Sequence, residues 1–349
     1  MIAALDATPL TLTSGGLARY VSELSLALAR QFPEDTYALL SDQPFDLPFH
    51  SPPNLIAGPG VTDPRWWLRG VRRAMSSAGA QVFHGTNFEV PYLGRIPSIL
   101  TIHDLSPWRD GSWHGRGADR VRTRTPWLIR LRRARAILTV SEAVRREIIA
   151  HFGVPDEMVR AIPLAATPAF YPVPETAAPP APYFLFVGTL EPRKNLPSLI
   201  EAWRETYEET GAELWIVGRR RADFRRIDEE PGMKVLGEVP DSELPALYSS
   251  ALAFVYPSLY EGFGLPVLEA MQCGCPVITS NDPAIREVSG DAAMHASSTA
   301  EIAQSMRVLA ADPARRKELR KQGFARVKHY SWDLTARRTR ALYQEVIGG

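Results

Sequence analysis

Short apolar runs of four to six residues recur along the chain, separated by polar stretches whose apolar residues return every three or four positions. Runs at 1–5, 36–41, 81–84, 98–102 and 136–140 form one set, and runs at 183–187, 213–217, 252–256 and 276–279 a second. Continuous apolar runs of this length predict buried strands. Between them, residues such as Leu17, Val21, Leu24 and Leu28 stand at helical spacing. Strand and helix in alternation predict the α/β class, with two Rossmann-like, doubly wound parallel sheets. Pro172, Pro174, Pro179, Pro180 and Pro182 crowd into one stretch. They predict an extended linker over 172–182, between a first domain at 1–171 and a second at 183–332. The length of 349 residues agrees with two domains, because single cores stop growing at about 250–300 residues. Such sheets bind ligands beyond the C-terminal ends of their strands, so the cleft between the two domains is the expected site.

The strand ends carry the chemistry. After the run at 252–256 come Tyr260-Glu261-Gly262-Phe263-Gly264-Leu265-Pro266-Val267-Leu268-Glu269. Pro266 fits a first helical turn, so a helix is predicted from near Gly264, its free N–H groups and positive dipole end suited to a phosphate. Glycines at 262 and 264 let a ligand approach the backbone. Glu261 and Glu269 would be repelled by a phosphate and are better suited to hydroxyls of a ribose or sugar. Read alone, Glu261 is also compatible with a solvated loop, and Glu269 with a helix-start charge favoured by the dipole. Arg193 and Lys194 follow the run at 183–187 and suit a diphosphate or, equally, a solvated turn. Ser14-Gly15-Gly16 follows the first run, and His103 with Asp104 ends the run at 98–102.

Net charge of +1 argues against a nucleic-acid partner. Charge is nevertheless local: Arg116, Arg120, Arg122, Arg124, Arg130, Arg132, Arg133 and Arg135 share residues 116–135 with Asp119 as the only acid there, beside Trp113, Trp127 and Leu128. That mixture suits peripheral contact with an anionic membrane surface, a grip on a lipid-linked phosphate, or a solvated helix face. No apolar run reaches the roughly 20 residues of a membrane span, and the start shows no signal-like core, so a cytoplasmic location is expected. Cys273 and Cys275 are too close for a disulfide and read as packing residues.

Together, the Gly15-Gly16 loop, Gly188 to Asn195, Glu261 through Glu269, Cys273-Gly274-Cys275-Pro276-Val277 and Gly290-Asp291-Ala292-Ala293 resemble the retaining glycosyltransferases of family 4, which have the GT-B fold. Val187-Gly188-Thr189-Leu190-Glu191-Pro192-Arg193-Lys194-Asn195 is similar to the mannosyltransferase-like branch that uses GDP-mannose in surface polysaccharide assembly. The resemblance implies that Arg193 and Lys194 hold the donor diphosphate with the amides of Gly264 and Leu265. It implies that Glu269 binds the ribose, Glu261 with Phe263 the donor sugar, and that Gly15 and Gly16 lie near the diphosphate. His103 would sit at the reacting side of the sugar and Val239 near the base. The last helix, 333–349, would return to the first domain. Many members carry Arg where Thr189 stands here, which leaves the roles of Arg193 and Lys194 to be divided.

The implied reaction moves a hexose from a nucleotide sugar to a glycan or lipid-linked saccharide with retention. No Asp-x-Asp occurs, so no metal or other cofactor is expected and cations with a helix dipole take the metal's role. A UDP-sugar transferase of the same fold, a GT-B-type nucleotide-sugar epimerase and a non-catalytic nucleotide-sugar binder share most of these residues.

Overall fold

The computed structural model describes residues 1–12, 15–47, 51–58, 62–109, 113, 118–174 and 181–348. It contains two α/β units. The first comprises residues 1–109, 116–164 and 331–349, and the second residues 110–115 and 165–330.

In the first unit, β1 (Ile2–Asp6), β2 (Thr36–Leu40), β3 (Leu55–Ala57), β4 (Val82–Gly85), β5 (Ser98–Thr101), β6 (Ala136–Thr139) and β7 (Val159–Ala161) form a parallel sheet. Its order is β3-β2-β1-β4-β5-β6-β7. In the second, β8 (Tyr183–Val187), β9 (Glu213–Val217), β10 (Met233–Gly237), β11 (Ala253–Tyr256), β12 (Val277–Thr279) and β13 (Met294–His295) form another, in the order β10-β9-β8-β11-β12-β13. These are the expected doubly wound parallel sheets.

Every strand predicted from an apolar run is present. The four that the pattern does not reveal are β3, β7, β10 and β13, and they are the edges of the two sheets. An edge strand keeps one side in solvent, so β3 exposes Ile56 and Ala57, and β10 carries Lys234 and a half-buried Val235. Without burial on both faces no apolar run is required.

The helix Gly16–Gln31 buries Tyr20, Val21, Leu24 and Leu28. Against it lies the C-terminal helix Trp332–Gly348, with the rings of Tyr20 and Trp332 centred 6.5 Å apart and the Gln31 amide donating to Asp333 at 2.9 Å. The Thr335 hydroxyl donates to the Pro163 carbonyl at 2.7 Å.

The change from first to second unit comes earlier than the proline count places it. Phe170 is buried in the second unit's core, and the Gln272 amide donates to the carbonyls of Thr167 and Phe170 at 2.8 and 2.5 Å. Residues 165–171 are therefore held by side chains of the second unit, before the proline-rich stretch, whose Pro179 and Pro180 lie outside the described residues. Cys273 and Cys275 are free and buried in the same core, and burial pushes the Cys273 thiol up to about 12, far from reactivity.

Candidate functional site

Each sheet reverses its winding at one place, between β1 and β4 in the first unit and between β8 and β11 in the second. Neighbouring connections leave such a point in opposite directions and open a crevice above the strand ends. Polar side chains gather at both.

In the second unit, Glu191, Arg193 and Lys194 follow β8, while Ser258 and Glu261 follow β11. The backbone makes a tight turn at Pro192–Lys194, with Asn195 in the left-handed region at φ 54°. Lys194 is buried; its ammonium donates to Glu261 Oε1 and, at 2.5 Å, to the Tyr256 hydroxyl, whose ring it also faces at 4.8 Å. Tyr256 and Ser258 donate in turn to Glu261 Oε1 at 2.8 and 2.6 Å. Arg193 donates to Glu261 Oε2 and to the Tyr260 carbonyl, each at 3.0 Å, and pairs with Glu191 at 2.7 Å.

Burial alone would raise the Glu261 pKa, but Lys194 and then Arg193 outweigh it and hold the carboxyl at about 2. Burial, followed by the neighbouring Arg193 charge, lowers the Lys194 pKa against the opposing pull of Glu261. In this state Glu261 is the shared counterion of the two cations, a contact that the expectation of sugar hydroxyls did not contain. The two cations are also unequal, for the Arg193 side chain is 17% exposed and that of Lys194 only 6%. Arg193 is the one that reaches outward.

The helix predicted near Gly264 spans Leu265–Gln272. Gly264 precedes it at φ 95°, where an added Cβ would meet nothing closer than 3.6 Å, so the glycine serves conformation rather than space. Glu269 lies inside this helix and is buried, as is Phe263, whose ring stands edge-on to Tyr330 at 5.8 Å. Val239 follows edge strand β10 and packs against the second core.

In the first unit, Gly15 precedes the helix Gly16–Gln31 at φ 99°, a conformation that excludes most side chains, and both glycines are exposed. Ser14 lies outside the described residues. His103 follows β5, and its Nε2 lies 2.8 Å from the Thr86 carbonyl beyond β4. A carbonyl only accepts, so Nε2 carries the proton and Nδ1 presents a lone pair. Burial lowers the His103 pKa and keeps the ring neutral.

The Thr86 hydroxyl donates to the main-chain carbonyl of Asp6 at 2.8 Å, and Thr8 donates to the Asp6 carboxylate through its amide at 3.0 Å and its hydroxyl at 2.8 Å. Burial raises the Asp6 pKa to about 7 despite these bonds. Asp6, Tyr256 and Ser258 are absent from the sequence-derived set. An acid ending an apolar strand was the visible sign of Asp6; Tyr256 reads as strand interior.

The arginine-rich stretch is less uniformly free than its composition implies. Glu89, outside it, receives both Nε and Nη2 of Arg120 at 2.9 and 2.8 Å and lies 3.6 Å from Arg124, while Arg122 pairs with Asp119 at 2.9 Å. Arg116 lies outside the described residues. Among these, no helix is long and apolar enough to cross a membrane.

Residues 14–169 match the family described as Glycosyltransferase Family 4, and residues 172–326 that described as Glycosyl transferases group 1. O-antigen chain mannosyltransferase B of Escherichia coli is 37% identical over 276 residues, covering 72% of this chain and 71% of that one. Serotype-specific mannosyltransferase WbdA of Escherichia coli is 30% identical over 232 residues, 60% of this chain, which spans only 28% of that relative's length. Among solved structures, sucrose-phosphate synthase from Thermosynechococcus elongatus superimposes with a TM-score of 0.77 at 20% identity, covering 99% of both chains. With parallel sheets of the GT-B type and charged side chains gathered at their switch points, the chain belongs to glycosyltransferase family 4 and is a glycosyltransferase.

Proposed function

We propose that this glycosyltransferase is a retaining hexosyltransferase that moves mannose from GDP-mannose to a glycan or lipid-linked acceptor in surface polysaccharide synthesis, without a metal. The observation that carries the reading is the Glu261–Lys194–Arg193 cluster at the β8/β11 switch point, beside the Gly264 helix terminus. The mannosyl donor is favoured by the names of two of the relatives, an O-antigen chain mannosyltransferase and a serotype-specific mannosyltransferase.

In this reading the partly exposed Arg193 meets the donor diphosphate directly, together with the amides of Gly264 and Leu265. The buried Lys194 adds its charge from beneath and fixes Glu261. Negative charge grows on the diphosphate as the C1–O bond breaks and the sugar gains oxocarbenium character. Cations already in place stabilise that charge without reorganising. The acceptor oxygen bonds to C1 on the face the diphosphate leaves, and its proton passes to the departing phosphate oxygen. Neutral His103, with its Nδ1 lone pair, accepts a hydrogen bond from a sugar hydroxyl. Gly15 and Gly16 offer amides, Glu269 takes the ribose, Phe263 lies beside the sugar and Val239 beside the base.

The test is release of GDP from GDP-mannose by purified protein in a chelator, with and without a lipid-linked or oligosaccharide acceptor. Faster release with acceptor is expected, and Arg193→Gln is expected to lower kcat/KM by about a hundredfold, as loss of one transition-state donor does elsewhere. Turnover only with UDP-sugars, product formation without acceptor, or binding with no turnover would each reject the reading.

A further inference from the structure

The opposite end of the first sheet holds a feature that nothing in donor chemistry uses. A cavity of about 260 Å³ opens at the N-terminal ends of β5 and β6, lined by Arg72, Arg95, Arg132, Arg133 and Arg135 and by no acidic residue. Among the described residues none of the five has a carboxylate partner; Arg135 spends one donor on the Val346 carbonyl at 3.3 Å. The Nε of Arg133 is buried with no hydrogen-bond partner. Arg132 sits at φ 52°, a strained conformation for a side chain of its size.

Five unpaired guanidiniums repel one another, and burying a donor unsatisfied is unfavourable. Both observations point to an anion that completes the site. Guanidinium forks match phosphate oxygens bidentately. The volume suits a phosphate or diphosphate head rather than a whole nucleotide sugar, since pockets for drug-sized ligands run from about 300 to 1,000 Å³.

The surroundings indicate what carries the phosphate. Arg132 also lines a second cavity of about 580 Å³, whose wall combines Trp108, Ile129 and Phe152 with Arg122, Arg130 and His151. Leu93 at the rim of the first cavity, and Leu131 and Trp127 nearby in sequence to Arg132, are exposed. We infer that this five-arginine cavity binds the phosphate head of a lipid, with the Trp108, Ile129 and Phe152 side of the neighbouring cavity taking part of the chain.

The experiment needs no sugar donor, so it succeeds or fails independently of the proposed transfer. Full-length protein is floated with phosphatidylcholine vesicles with and without phosphatidic acid, and inorganic pyrophosphate is added as competitor. Binding to the phosphatidic acid vesicles is expected, weakened by pyrophosphate. Arg72→Gln/Arg133→Gln should bind about thirtyfold more weakly, since each of the two basic residues near an anionic surface contributes on the order of 1 kcal/mol. Arg95→Gln, an exposed change that spares the fold, should weaken binding in the same direction. The control Arg225→Gln/Arg226→Gln, in the second unit, should bind as the unaltered protein does. Equal loss in the control would mean unspecific charge attraction and overturn the inference. Undiminished binding by the cavity variants would overturn it as well, and pyrophosphate binding by calorimetry with no vesicle binding would replace the lipid by a soluble phosphate.

Discussion

Replacing Glu261 by glutamine keeps the side chain's shape and removes the charge that Lys194 and Arg193 face. Breaking a buried pair in this way leaves an uncompensated ammonium, at a cost of about 3 kcal/mol. The unaltered protein should show the same linkage with pH. The Glu261 pKa is about 2 in the fold against 4.5 unfolded, so its contribution is complete above pH 4.5 and is lost as pH falls toward 2. Urea midpoints across that window should fall steeply for the unaltered protein and less steeply for Glu261→Gln. Asp6 has the opposite sign. Its folded pKa of about 7 exceeds the ordinary 3.8, so the fold holds the proton more tightly and stability is lost as pH rises from 3.8 through 7. Asp6→Asn should therefore raise stability at pH 8, read as a higher urea midpoint, by on the order of 4 kcal/mol at about 1.4 kcal/mol for each pH unit between the two values. Unchanged midpoints would mean that Asp6 is solvated. At this scale the sequence identifies Arg193, Lys194 and Glu261 because polar residues ending apolar strands stand out. It does not show that the acid neutralises both cations, since no spacing rule links the turns after β8 and β11.

Among elements, the helix Leu265–Gln272 depends on one backbone conformation. Gly264 at φ 95° could accept a Cβ sterically but not conformationally. Gly264→Ala should lower stability by about 1–2 kcal/mol and turn the first amides of the helix aside. Thermal unfolding measures the first effect and KM for the nucleotide sugar the second; a lower melting temperature with unchanged KM would remove these amides from the donor site. The strands divide by the same logic of environment. Interior strands were legible because parallel packing buries both faces, whereas β3, β7, β10 and β13 were not, because an edge requires no apolar run.

Across the whole molecule, the C-terminal helix joins residues far apart in the chain. His84 is buried in β4, with Nδ1 2.7 Å from the Tyr343 hydroxyl and Nε2 2.6 Å from that of Thr101. Burial lowers its pKa to about 3, so the ring is neutral and needs both hydroxyls. Arg340 likewise reaches Asp35 at 2.6 Å and Glu34 at 2.9 Å. Tyr343→Phe leaves a buried nitrogen without a partner and should cost about 1–3 kcal/mol, read as a lower urea midpoint with unchanged m-value. An unaltered midpoint would show that water replaces the hydroxyl. By itself the sequence determined the fold class, the interior strands, the glycine-led helix and the family, because burial period, turn chemistry and motif are local properties of the chain. Only the tertiary structure decided that Glu261 pairs with both cations, that Glu89 takes two arginines from the basic stretch, that Phe170 belongs to the second core, and that five arginines surround one cavity. Those outcomes depend on which strand ends and loops become neighbours, and distance in space is not a function of distance along the chain.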